Sequence, residues 1–119
     1  MRLEHLSFAV VAGFFLFACG GAPKPEARVS SSEGAIRGAE EVGAKNVPQA
    51  ALHLKLAQEQ REKALAMIKD GDNEGADRML MRAEADAELA VALSREATAK
   101  VEAEKTLEQV LELKKKAAK

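Results

Sequence analysis

The stretch "ALAMIKDGDNEGADRML", Ala64–Leu80, decides the fold. Strong helix formers stand on both sides of a short run of breakers, Lys69 to Gly75. Gly71 suits the left-handed position just past a helix end, and Asp72 or Asn73 suits the N-cap of the next helix. A link of a few residues leaves the two helices no arrangement but antiparallel.

Reading outward from the turn, the apolar spacing says how those helices meet. Val47, Ala50, Leu54, Ala57, Arg61, Ala64 and Ile68 recur at alternating steps of three and four before it. Ala76, Leu80, Ala83, Ala87, Ala90, Ser94, Ala97 and Val101 do so after it. The antiparallel hairpin then sets Ile68 near Ala76 and Leu54 near Ala87 and Ala90. A seam this rich in alanine lets backbones approach closely and buries little area, so the hydrophobic gain, at about 25 cal/mol per Å², is modest. Arg61 in the seam either pairs across the hairpin with Glu84 or Asp86 or snorkels to water. Glu59 with Lys63, Glu74 with Arg78, Glu96 with Lys100 and Glu112 with Lys116 have the spacing of helix-surface ion pairs. Leu52, Leu56 and Met67 fall opposite the seam and need another cover: a preceding helix folding back, a second copy of the chain, or another partner. They are the candidate interaction residues.

A second group of breakers, Gly43, Asn46 and Pro48, marks an earlier interruption, with Pro48 acceptable in the first turn of the next helix. Ser30 and Glu33 have the spacing of a capping box. Three helices are expected, near residues 32–44, 48–70 and 73–117. The fold class is all-α: an alanine-rich, coiled-coil-like hairpin with a short preceding helix, forming one domain over residues 32–117.

The composition changes at the N-terminal end. All four phenylalanines of the 119-residue chain lie in its first 18 residues, and Trp and Tyr are absent. "MRLEHLSFAVVAGFFLFAC" has a short charged start and an apolar run from Leu6 to Ala18. That run is short of the about 20 residues of a membrane span and fits a secretory leader, residues 1–18. Leu16-Phe17-Ala18-Cys19 resembles the lipobox of bacterial lipoproteins, although Phe17 is bulkier than that pattern favours and Glu4 is unusual in a leader's start. The resemblance implies that Cys19 takes a diacylglycerol, that the leader is cut before it, and that the new amino group is acylated. Two or more chains anchor stably where one does not. Gly20 after the cysteine, in place of the Asp of a retention signal, implies the outer membrane. Residues 19–31, rich in Gly, Pro, Ala and Ser, read as the lipidated Cys and a flexible linker.

Several function classes are disfavoured. With Arg2 and Glu4 set aside, 17 basic residues face 18 acidic ones, so the body has no basic footprint for nucleic acid. Asp70 to Gly75 mimics the start of a calcium loop, but the closing carboxylate of such a loop would stand at position 81, which is Met81. An acidic turn at a helix start accounts for the same residues. His53 is the one histidine after the leader, with no nucleophile or second ligand beside it in sequence, and no phosphate-binding glycine loop is present. No catalysis and no cofactor are expected.

The run Ala64–Ala97 resembles the core of a family of short bacterial lipoprotein domains designated domain of unknown function 4398. It shares an Ala and Leu helix, a Gly-Asp turn, a spaced-alanine helix and an Asp-Ala-x-Leu-Ala stretch, here Asp86-Ala87-Glu88-Leu89-Ala90. The likeness covers about residues 30 to 110. Tetratricopeptide repeats share the Gly-Asp turn, but a repeat array requires further copies at about 34 residues, and none is visible. The resemblance implies an envelope context without a chemistry. The expected function is a noncatalytic structural or protein-interaction module, lipid-anchored at the periplasmic face of the outer membrane. The alternative is a membrane-to-peptidoglycan staple, with Lys119 of the terminal "KKKAAK" as the attachment point.

Overall fold

The computed structural model describes residues 21–118. Helix α1 spans Glu26–Glu41, a single 3₁₀ turn comes next at Ala44–Asn46, α2 spans Pro48–Lys69 and α3 spans Asn73–Ala117. The expected all-α hairpin is present as α2 and α3, and α1 folds back against it. The expected leader, Cys19 and Lys119 lie outside the described residues.

The turn at Gly71 closes the hairpin with very little chain. Gly71 takes a left-handed φ of 86°, its N–H donates to Ile68 O at 3.1 Å, and the N–H of Asp72 donates to Met67 O at 2.9 Å. This paired arrangement satisfies the last carbonyls of α2. Asp72 then serves at once as the N-cap of α3, its carboxylate accepting from the N–H of Gly75 at 2.9 Å. One residue ends the first helix and its neighbour starts the next.

The earlier reversal is built differently. Gly43, at φ 78°, ends α1 and leads into the 3₁₀ turn. Val47 is extended, as a residue before proline prefers, and Pro48 opens α2.

Helix α1 begins at Glu26, six residues before the expected start, and Ser30 and Glu33 lie inside it. The linker is correspondingly shorter than expected. Pro25 stands at the N-cap, its carbonyl accepts from Val29 N–H at 3.0 Å, and Glu26 places a carboxylate at the positive end of the helix dipole. The serines turn back on their own helix: Ser32, fully buried, donates to Val29 O at 3.0 Å. What prolongs α1 is α3 beneath it, since Arg28 reaches both Asp77 at 3.3 Å and Glu84 at 3.4 Å.

The seam is mostly alanine. Ala50, Ala57 and Ala64 of α2 and Ala76, Ala83, Ala87 and Ala90 of α3 are fully buried, with Leu54, Leu80 and Ser94 among them. Ile68 packs on the cluster containing Ala76, and Leu54 shares a cluster with Ala87 and Ala90, as the pairing by spacing requires. Ile36 and Ala39 complete that second cluster from α1. The expected seam fails only at its last position. Val101 is 65% exposed, because α2 begins at Pro48 and has no residue left to cover it.

Length explains this. At 1.5 Å per residue, α2 is about 33 Å long and α3 about 68 Å. From Thr98 onward every described residue is exposed, so roughly the last 30 Å of α3 stands out from the bundle as a single helix.

Candidate interaction surface

Chain direction fixes the two ends of the molecule. Arg28 of α1 meets Asp77 and Glu84, and Val42, just past the end of α1, lines a groove with Arg95 and Thr98, so α1 runs parallel to α3. Near the start of the described chain, Ala22 O accepts from Asn73 Nδ2 at 2.6 Å. The residues leading into α1 therefore leave the bundle beside the Gly71 turn. Lys114, Lys115 and Lys116 occupy the opposite end, in the last turn of α3.

Helix α1 covers one side of α2 only. Its polar contacts with α2 run from Glu33 to Arg61 at 2.9 Å and from Glu40 to Gln58 at 3.1 Å. At 100° per residue Gln58 and Arg61 lie on the opposite side of α2 from Leu52 and Leu56. The helix that folds back is thus not the cover for those leucines. The pairing of Arg61 with Glu84 or Asp86 is replaced by Glu33, because α1 lies alongside the seam and offers a nearer carboxylate. Glu84 is engaged by Arg28 and Ser31 instead.

Of the three candidate interaction residues, Leu52 is 57% exposed and Leu56 is half-buried. Met67 packs on the cluster of Ala64, Ala76 and Leu80. Its terminal methyl and the Asp72 carboxylate fill the space where a side chain on Gly75 would stand. Gly75 is needed there because helix, cap and methionine converge on one point. The apolar stripe on α2 therefore shrinks to Leu52 and Leu56. On α3, Met81 and Leu89 are exposed at 49% and 42%.

His53 is a packing residue with a polar task. Its Nδ1 lies 2.8 Å from Asp86 Oδ1, and Gln60 Nε2 donates to the other oxygen of the same carboxylate at 2.7 Å. With the carboxylate accepting, Nδ1 is the donor. Two side chains of α2 thus grip one carboxylate of α3 at the half-buried edge of the seam. Spacing alone did not show this cluster, since His53 and Gln60 are seven residues apart on α2 and Asp86 lies on another helix.

The outer faces carry Glu74–Arg78, Glu96–Lys100 and Glu112–Lys116 at 2.8, 2.6 and 2.8 Å. Glu59 pairs with Lys55 at 3.7 Å rather than with Lys63, having a lysine one turn away on either side. The hydrogen bond from Lys100, and after it the lysine's charge, lowers the Glu96 carboxyl below its ordinary pKa and raises the Lys100 ammonium. The hydrogen bond to Asp77 likewise raises Arg28. Among the described residues, no group of three His, Cys, Asp or Glu side chains is placed to hold a metal ion, and no helix is long and apolar enough to cross a membrane.

Fold and surface define an alanine-seamed three-helix bundle with one long helix running on beyond it. The chain belongs to the family described as domain of unknown function DUF4398, which it matches over residues 27–106. The match begins in the first turn of α1 and stops within the projecting part of α3. No curated protein and no solved structure matches the chain.

Proposed function

We propose that this protein is a noncatalytic module of the bacterial cell envelope, anchored through an acylated Cys19 at the periplasmic face of the outer membrane and engaging an envelope protein through Leu52 and Leu56. The observation that carries this reading is the separation of the two ends of the described chain. The N-terminal segment leaves beside the Gly71 turn, where Ala22 meets Asn73, and α3 carries the other end about 68 Å away. A rod held at one tip presents its flanks and its far tip away from the lipid.

Intact-mass analysis of the native protein extracted from membranes tests the anchor. The expected mass is that of a chain starting at Cys19 with acyl additions. A chain that keeps its first eighteen residues, or a bare thiol on a freely soluble protein, overturns it. Replacing Leu52 and Leu56 together by Lys is expected to remove co-purifying envelope proteins without unfolding the bundle, as Leu52 is exposed and Leu56 is only half-buried.

One observation favours a second reading, a staple from membrane to peptidoglycan through Lys119. The basic residues Lys114 to Lys116 stand at the tip farthest from the N-terminal segment. Deleting Lys119 is then expected to release the protein from lysozyme-sensitive wall material, and unchanged fractionation removes this reading.

A further inference from the structure

The chain that leads into α1 is fastened to the bundle before it departs. At Pro25, with φ −81° and ψ 58°, it makes an inverse γ-turn in which Glu26 N–H donates to Lys24 O at 2.9 Å. Three residues before that proline, Ala22 O accepts from Asn73 Nδ2 at 2.6 Å. The oxygen of the same amide, Asn73 Oδ1, is buried without a hydrogen-bond partner among the described residues. Turning the amide over would set that oxygen against the Ala22 carbonyl, two acceptors face to face, so one orientation alone holds the strap.

This contact shortens the leash. Cys19 stands three residues before Ala22, and three extended residues span about 10 Å, whereas a free linker from Cys19 to Ser31 would span about 40 Å. The end of the bundle beside Ala22 is exposed and polar, with Lys24 and Lys69 against Asp70, Asp72 and Glu74. Glu74 is itself paired with Arg78 at 2.8 Å, so the two signs nearly balance. The first large apolar residue exposed on α3, Met81, lies about two turns along the helix from this end.

We infer that the turn end of the bundle meets the phospholipid headgroups directly and end-on, held there by the contact between Ala22 and Asn73. The inference rests on the acylation of Cys19 proposed above. With acyl chains sunk in the bilayer at Cys19, the strap leaves the end face at most about 10 Å of slack; released, the chain pays out as far as Glu26, about 25 Å. A polar end face suits the headgroup layer and is excluded from the hydrocarbon beneath it. Because its charges nearly balance, the leash and not electrostatic attraction keeps it in place. The surface that touches lipid is therefore the Gly71 turn with Lys24 beside it, and no stretch of free linker separates bundle from membrane.

The chain has no Trp, so Asp70→Trp and Glu108→Trp each supply a single fluorescent donor, the two about 50 Å apart along the rod. The acylated chain, its acylation read by intact mass, is placed in phosphatidylethanolamine vesicles that contain phosphatidylglycerol and dansyl-labelled headgroups. Energy transfer from Asp70→Trp should exceed that from Glu108→Trp severalfold, the second variant controlling for the affinity of Trp itself for the interface. The transfer should survive raised salt and the omission of phosphatidylglycerol. Asn73→Ala, added to Asp70→Trp, keeps the Asp72 cap of α3 and should lower the transfer while the thermal melt stays in place. Equal transfer from the two positions, which is a rod lying flat, overturns the inference and leaves the anchor reading standing. So do transfer that vanishes without phosphatidylglycerol and transfer that does not respond to Asn73→Ala. A mass without acyl additions overturns both.

Discussion

Helix α3 runs through the bundle and on beyond it without a break, yet the bundle and the projecting segment treat apolar residues in opposite ways. Within the bundle the smallest apolar side chain is hidden: Ala57, Ala64, Ala83 and Ala87 have no exposure at all. Beyond it the larger ones are in water, with Leu107 and Leu113 exposed at 61% and 64%. Hydrophobicity does not sort these residues; helix length does. Partner helices run beside α3 only as far as its middle, and whatever faces them is buried regardless of size.

This contrast is sharpest for leucine. Leu80→Ala, at a fully buried position of the turn-end cluster, is expected to destabilise the bundle by about 2–5 kcal/mol, whereas Leu113→Ala should change the melt by less than about 0.5 kcal/mol. Equal effects in denaturant titrations would erase the distinction between the two regions. Enlarging the seam should come next. Ala87→Leu forces a side chain between close-packed helices and is expected to cost about 1–3 kcal/mol, but Ala103→Leu, beyond the bundle, should leave the bundle's melt unchanged. A smaller effect belongs to the turn on which both regions depend for their direction: Asp72→Ala removes the cap at Gly75 and should cost about 1 kcal/mol.

The smallest effect is electrostatic and lies at the junction of the two regions. The folded-state pKa of Glu96 is lowered by Lys100, so its contribution is present above the ordinary carboxylate pKa and is lost as pH falls through the folded value. An NMR titration should find the Glu96 midpoint below the carboxylate norm and returned toward it in Lys100→Ala. A midpoint that does not move would show that the pair at 2.6 Å does not persist in solution.

How much of this is legible in sequence depends on which contacts are local. The hairpin is, because Gly71 and Asp72 encode their turn within a few residues. The seam is, because alternating steps of three and four survive any choice of partner. The start of α1 is hidden by three serines that resemble a cap but lie within the helix, and Pro25 before Glu26 is the signal that marks it. Spacing leaves Arg61 between Glu84, Asp86 and water, without Glu33, and sets Met67 on the wrong face, for a shared reason. Each depends on a neighbour of α2, Arg61 on α1 and Met67 on the close approach of α3 at Gly75, and a helical wheel of α2 contains neither. Val101 extends the periodic pattern past the point where α2 ends, since a repeat in one helix does not report the length of its neighbour.

The parallel course of α1 and α3 has a mechanical consequence. A pull between Ala22 and the tip of α3 draws the two helices past each other along their length, in shear. Arg28 with Asp77 and Glu84, and Ile36 and Ala39 in the core, then bear load together instead of parting one after another as in peeling. Had α1 left from the other end of the bundle, the same pull would have unzipped it a turn at a time.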